Sequence, residues 1–213
     1  TINTGGNTVA INHTGAVTLG AAITAVGSTA TITSTGSGIN GAGLVTANAL
    51  TLNASGGIGI GTAVSANATT YSLTTAGAGA AGNITLIDTG ALNTSQITTL
   101  TTAASAQTVS LTSTAGPLTL GANIGNALDN LTLIATAGNI EGGAGTATGN
   151  NVTLTATNGG IGIVTTVNTN SNTLVLMSGG AAAAGNITVI EATATSLTAT
   201  TNAATTQTID VTL

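Results

Sequence analysis

Apolar and polar residues alternate along short stretches of this chain, the pattern expected of strands that bury one face. Four such stretches begin at regular intervals, and they are Val109-Ser-Leu111, Leu131-Thr-Leu133, Val152-Thr-Leu154 and Leu174-Val-Leu176. Their first residues lie 22, 21 and 22 positions apart, counted from 109 to 131 to 152 to 174. Thr, Val and Ile favour strands, whereas Gly and Asn favour turns. The pattern predicts an all-β chain with a period of about 20–22 residues.

A longer repeat of about 100 residues is superimposed on this period. One four-residue segment recurs at offsets of 100 and 100, as Thr8-Val-Ala-Ile11, Thr108-Val-Ser-Leu111 and Thr208-Ile-Asp-Val211. A second segment occurs twice, as Gly82-Asn-Ile-Thr-Leu-Ile-Asp88 and Gly185-Asn-Ile-Thr-Val-Ile-Glu191. We therefore predict one continuous domain over 1–213, with repeat copies at about 1–103 and 104–203 and a third copy that begins at about 204.

The short period with Gly and Asn at the corners is typical of a parallel β-solenoid. One coil of short strands cannot bury its own inward side chains, so each coil stacks on the next. We expect Val, Ile and Leu inside and Thr, Ser and Asn outside. A β-sandwich is the weaker alternative, because it uses hairpins and non-repeating strands, usually with aromatic residues in its core.

Several coils resemble those of a known family. Leu131-Thr-Leu-Ile-Ala-Thr-Ala-Gly-Asn-Ile140 and Val152-Thr-Leu-Thr-Ala-Thr-Asn-Gly-Gly-Ile161 are similar to the L-x-L-x-A-x-x-G-x-I coils of filamentous-haemagglutinin-type secreted bacterial proteins, and Ala49–Ile58 fits with one residue deleted. The resemblance covers most of the chain as a pattern. It implies a right-handed β-helix, secretion, a location outside the cell or at its surface, and service as an adhesin or fibre. No receptor-binding residue transfers with it, so the receptor is unknown.

Composition excludes several functions. The chain has no Lys, Arg or Cys, and its aromatic residues reduce to one Tyr. Nucleic-acid binding needs basic residues and stacking aromatics, and anionic membrane surfaces also attract basic residues. Membrane insertion needs about 18 consecutive apolar residues, which do not occur. Catalysis needs converging acids, bases and electrophiles, and five Asp and Glu with one His do not supply them. We predict a non-enzyme that uses no cofactor.

Asp88 and Glu191 occupy equivalent positions in the two copies and are the only candidates for a repeated cation site. Calcium takes six to eight oxygen ligands, usually with several carboxylates, and each position supplies one carboxylate. We therefore predict that both acids point outward and that neither binds a metal. His13 has no second ligand and is expected at the surface. Tyr71 stands where the second copy has Leu174, which predicts a place in the core or at its rim.

Ice binding and carbohydrate binding are the alternative functions. Thr29–Thr35 and Thr153–Thr157 are similar to the threonine arrays of ice-binding solenoids, which require the same pattern on successive coils. The coils compared here contain Thr132 alone and then Leu174-Val-Leu176, so the array is not expected to persist. Carbohydrate sites usually contain aromatic residues, and the single Tyr argues against one.

The terminal repeats suggest self-association. Solenoids need polar caps, or their open strand edges pair with other chains. The expected edges are Val9 and Ile11 at one end and Ile209 and Val211 at the other. The chain is then either a piece of a longer repetitive protein or a subunit that stacks head to tail. Because the net charge is only -5, charge repulsion between copies that lie side by side is expected to be weak. We predict a structural fibre or adhesin stalk whose partner is itself.

Overall fold

The computed structural model describes residues 1–193, 196–202 and 204–213, and strands dominate it. The strands pair in parallel with a repeat of about 22 residues per coil, so the predicted all-β parallel solenoid is confirmed. Contacts divide the chain into two compact units. Unit 1 comprises residues 1–89 and 96–108, and unit 2 comprises residues 90–95 and 109–213. Among the described residues, no helix is long and apolar enough to cross a membrane.

Unit 1 contains nine short or medium strands. They are β1 (Ile2–Asn3), β2 (Val9–His13), β3 (Val17–Thr18), β4 (Ile23–Ser34), β5 (Ile39–Asn40), β6 (Val45–Ala54), β7 (Val64–Thr75), β8 (Ile84–Asp88) and β10 (Ile97–Thr101). Unit 2 contains the remaining strands, the first residue of β11 lying at the boundary. They are β9 (Leu92–Asn93), β11 (Thr108–Ser113), β12 (Leu118–Thr119), β13 (Ile124–Gly125), β14 (Asn130–Ala135), β15 (Ile140–Glu141), β16 (Thr146–Ala156), β17 (Val167–Ser178), β18 (Ile187–Glu191), β19 (Ser196–Thr200) and β20 (Ile209–Thr212). Three 3-10 turns complete the described elements, at Gly79–Gly82, Thr94–Gln96 and Ala182–Gly185.

Residues one coil apart lie side by side. In unit 1, Ile32 of β4 pairs with Leu52 of β6, which pairs with Leu73 of β7. All three are fully buried, with no exposed surface. In unit 2, Leu133, Leu154 and Leu176 form the same kind of buried column. Burying each such side chain contributes about 1.5–3 kcal/mol, so these columns stabilise the stack.

One corner of the coil depends on glycine. Gly59 follows the bridge residue Ile58 and has a φ of +71°, a conformation that L side chains rarely adopt. A Cβ at this position would collide with the carbonyl oxygen of Thr85 in the next coil. Gly162 has the same conformation, with a φ of +68°, and faces the carbonyl oxygen of Thr188. Glycine therefore permits both the turn and the close approach of successive coils.

Two single-residue predictions are confirmed. Tyr71 is fully buried beside Leu50, and its counterpart Leu174 is fully buried beside Val152. His13, at the end of β2, is exposed. The hand of the solenoid and the continuity of one domain over 1–213 stay predictions.

Candidate functional site

Asp88 and Glu191 are buried, so the prediction that they point outward is wrong. Only 2% of Asp88 and 1% of Glu191 is exposed. Asp88 ends β8, where Ile84 and Leu86 also point inward, and the two-residue period of a strand continues to the acid. Glu191 ends β18 in the same way. The charge of these residues predicts an outward position, whereas their place in the strand alternation sets them inward.

In unit 1, the buried carboxylate of Asp88 accepts a hydrogen bond from a tyrosine hydroxyl. The phenolic O–H of Tyr71 donates a hydrogen bond of 2.6 Å to Oδ2 of Asp88. The backbone N–H of Ala68 donates to Oη of Tyr71 at 2.9 Å. Burial raises the pKa of Tyr71 well above its ordinary value, and the hydrogen bond and negative charge of Asp88 raise it further. The phenol therefore stays protonated and acts as a donor between coils.

In unit 2, the equivalent carboxylate of Glu191 accepts hydrogen bonds from a serine and a threonine. The N–H of Ser171 donates to Oε1 of Glu191 at 2.9 Å, and the hydroxyl of Ser171 donates to Oε2 at 2.8 Å. The N–H and the hydroxyl of Thr193 each donate to Oε1 at 3.2 Å. Both carboxylate oxygens are thus engaged by neutral donors of the protein.

The two arrangements are alternative solutions at equivalent positions. An offset of 103 relates Ala68, Tyr71 and Asp88 to Ser171, Leu174 and Glu191. Where unit 1 has the long tyrosine and the short aspartate, unit 2 has the short serine and the longer glutamate. Each set brings a hydroxyl to a carboxylate in the adjoining coil. In both sites, hydrogen bonding compensates for the burial of a polar group.

Neither acid stands in a cluster of potential metal ligands within the described residues. Within the described ranges, no three His, Cys, Asp or Glu side chains gather in an arrangement that could hold an ion. Two other acids, Glu141 and Asp129, accept hydrogen bonds from residues of unit 2. Oε2 of Glu141 accepts from the N–H groups of Val164 and Thr165, at 3.0 and 3.1 Å. Oδ2 of Asp129 accepts from Nδ2 of Asn126 at 2.7 Å.

A second candidate site is a pair of polar columns on the outside of unit 1, which we call the hydroxyl face. The register of β4, β6, β7 and β10 sets these residues side by side. The first column contains Thr31, Thr51, Ser72 and Thr99, and the second contains Thr33, Asn53, Thr74 and Thr101. All eight are partly or fully exposed.

The expectation that the Thr-x-Thr pair does not recur on successive coils is confirmed in unit 2, and in the two columns of unit 1 no two neighbouring coils both carry the pair. In unit 2, Thr153 lies between Thr132 and Val175, and Thr155 lies between Ile134 and Met177. In unit 1, hydroxyl or amide side chains continue through four coils. The sequence signal for these columns is the recurrence of Thr31 and Thr33 after 20 residues as Thr51 and Asn53.

The predicted assembly edges lie on strands in different units. Val9 is buried and Ile11 half-buried on β2, which among the described strands is paired with β4 alone. Ile209 is 46% exposed and Val211 half-buried on β20, whose described partner is β18.

Comparison with protein-family models, with curated proteins and with solved structures found no match to this chain.

Proposed function

We propose that this chain is a structural segment of an extracellular fibre or of the stalk of a surface adhesin, and that copies associate by stacking their end strands. The supporting observation is that four of the five carboxylates form hydrogen bonds within the protein. The carboxylates of Asp88, Asp129, Glu141 and Glu191 accept hydrogen bonds from the protein itself. Groups that could otherwise catalyse or bind instead stabilise the fold.

The end strands support self-association. Among the described strands, β20 pairs with β18 alone, and a strand edge without a partner is a template for another strand. Its inward residues Ile209 and Val211 follow the column of Ile187 and Val189 and are covered on one side. The segment Thr208-Ile-Asp-Val211 also repeats Thr8-Val-Ala-Ile11, so a second copy would offer apolar residues of the same kind. Location outside the cell rests on the family resemblance.

Two neighbouring substitutions on β20 test the proposed contact. Val211→Lys places a charge in the apolar column, whereas Thr212→Lys places the same charge on the outward side of the same strand. We expect the unmodified chain and Thr212→Lys to associate as concentration rises in sedimentation velocity, and Val211→Lys to remain monomeric. Equal thermal midpoints would establish that both variants fold. Three monomeric proteins at every concentration would overturn the proposal.

A further inference from the structure

The hydroxyl face of unit 1 forms a regular two-dimensional array. Neighbouring strands lie about 4.8 Å apart, and alternate residues of a strand lie about 6.7 Å apart. The pairs Thr31 and Thr33, Thr51 and Asn53, and Ser72 and Thr74 therefore repeat at constant spacing across three coils. Thr99 and Thr101 extend both columns to β10, after a bulge at Thr98.

The side chains of this array have no partners within the described part of the protein. None of the seven hydroxyls of the hydroxyl face, nor the amide of Asn53, makes an intramolecular hydrogen bond there. Nearby hydroxyls behave differently: Thr75 donates to the carbonyl oxygen of Gly82, and Thr98 donates to that of Tyr71. In unit 2, by contrast, Asn151 donates to Asn130 along its own column. The hydroxyl face therefore keeps its hydrogen-bonding capacity for an external ligand.

The array is also held in place from behind. Its strands alternate with the buried columns that contain Ile32, Leu52 and Leu73, and every strand is hydrogen-bonded to its neighbour. Six of the eight side chains are threonines, whose branched Cβ restricts χ1. Fixed backbone and restricted rotamers keep both the hydroxyls and the methyl groups at their lattice positions.

The chemistry of the face limits its ligand. Neither column contains an ionisable side chain, so a charged ligand would find no counter-charge. Sugars are usually bound with an aromatic platform, and Tyr71 is buried. Seven hydroxyls and one amide in two regular columns, with the methyl groups of six threonines between them, match a ligand that is itself a lattice of hydrogen-bonding oxygens. We infer that the hydroxyl face of unit 1 binds the surface of ice, a function that goes beyond the structural role proposed above.

The chain supplies its own matched control for a test. Thr51 is central in the hydroxyl face, between Thr31 and Ser72. Thr153 is equally central in unit 2 but lies between Thr132 and Val175, where the array is interrupted. Tyrosine at either position adds the same bulk to an outward position of a central strand. Circular dichroism and thermal midpoints check that Thr51→Tyr and Thr153→Tyr both fold.

The experiment is partition into slowly growing ice, together with thermal hysteresis of the solution. We expect the unmodified chain and Thr153→Tyr to be enriched in ice and to depress the freezing point below the melting point. Thr51→Tyr should fall to the level of an ice-inert control protein. Exclusion of the unmodified chain from ice, or equal enrichment of both variants, would overturn the inference.

Two further measurements identify other occupants of the face. Retention on cellulose without enrichment in ice would assign the hydroxyl face to a polysaccharide. Loss of self-association in Thr51→Tyr, again without enrichment in ice, would assign it to a second copy of the chain. Failure of the end-strand contact is recognised separately, because it is tested by Val211→Lys and leaves the ice measurements unchanged.

Discussion

The hydroxyl of Tyr71 donates a 2.6 Å hydrogen bond to Oδ2 of Asp88, and the two side chains belong to successive coils of unit 1. Tyr71 is fully buried and is the only aromatic residue of the chain. A buried polar group is costly unless it is hydrogen-bonded. The tyrosine therefore fills the core and at the same time satisfies a carboxylate within it.

Removing the phenolic oxygen should destabilise unit 1. Tyr71→Phe deprives Asp88 of a donor and the N–H of Ala68 of its acceptor, while the ring stays in place. We expect a loss of about 1–3 kcal/mol, because buried groups are left without partners. Urea unfolding followed by circular dichroism measures the loss. Ser72→Ala, on the outward side of the same strand, is the control, and equal stability of the two variants would contradict the account.

The same tyrosine predicts a loss of stability at high pH. Its pKa is raised in the folded protein, chiefly by burial, whereas the unfolded chain releases the proton near the ordinary value of 10.0. Above that pH the unfolded state binds fewer protons than the folded state, so stability should fall by about 1.4 kcal/mol per pH unit. Below it, this contribution is fully present.

Ultraviolet absorbance can follow this titration cleanly, because the chain has one tyrosine. Tyrosinate should appear only as the circular dichroism of the fold is lost. Tyr71→Phe should remove most of the alkaline slope. Ionisation of the tyrosine near its ordinary pKa in a chain that remains folded would show that Tyr71 is accessible to solvent, against the structure.

The arrangement of unit 2 should be transferable to unit 1. Tyr71→Leu alone removes the donor and leaves Asp88 with one partner fewer. Adding Ala68→Ser and Asp88→Glu reproduces the set formed by Ser171, Leu174 and Glu191. We expect the triple variant to recover most of the thermal stability lost in Tyr71→Leu, since contacting residues are not additive. A triple variant no more stable than Tyr71→Leu would refute this equivalence.

Glycine at the tight corner is a further test. Gly59→Ala requires a left-handed alanine, which costs about 1–2 kcal/mol, and its Cβ would also collide with the carbonyl oxygen of Thr85. We expect a clear drop in the thermal midpoint. Gly61→Ala is the control, because a Cβ there meets nothing within 4 Å. Similar midpoints for both variants would mean that the corner is not as tightly stacked as described.

The fold was predictable because the positions of the apolar residues indicate both the coil length and the inward face of each strand. Leu133, Leu154 and Leu176 occupy one column, as the period of 21 and 22 residues indicates. The equivalence of Tyr71 to Leu174 predicts its place in the core in the same way. Alternation also predicts that Asp88 points inward, whereas the usual preference of acids for solvent predicts the opposite.

The recurrence of Thr31 and Thr33 as Thr51 and Asn53 is visible in the sequence, but the complete hydroxyl face follows only from the pairing of coils. The step from Thr31 to Thr51 is 20 residues and the step from Thr51 to Ser72 is 21, so a fixed period misaligns the columns. One donor to a buried acid has no signature in the sequence. Ser171 donates its backbone N–H to Oε1 of Glu191, and no side-chain pattern reports that contact.

Electron microscopy of the unmodified chain, in negative stain at low and at high salt, tests the central claim that copies join through their end strands. A net charge of -5 and contacts made by main-chain groups and apolar residues predict filaments of uniform width under both conditions. Their length should increase with protein concentration. Isolated particles at every concentration, or filaments that depend strongly on salt, would contradict the account.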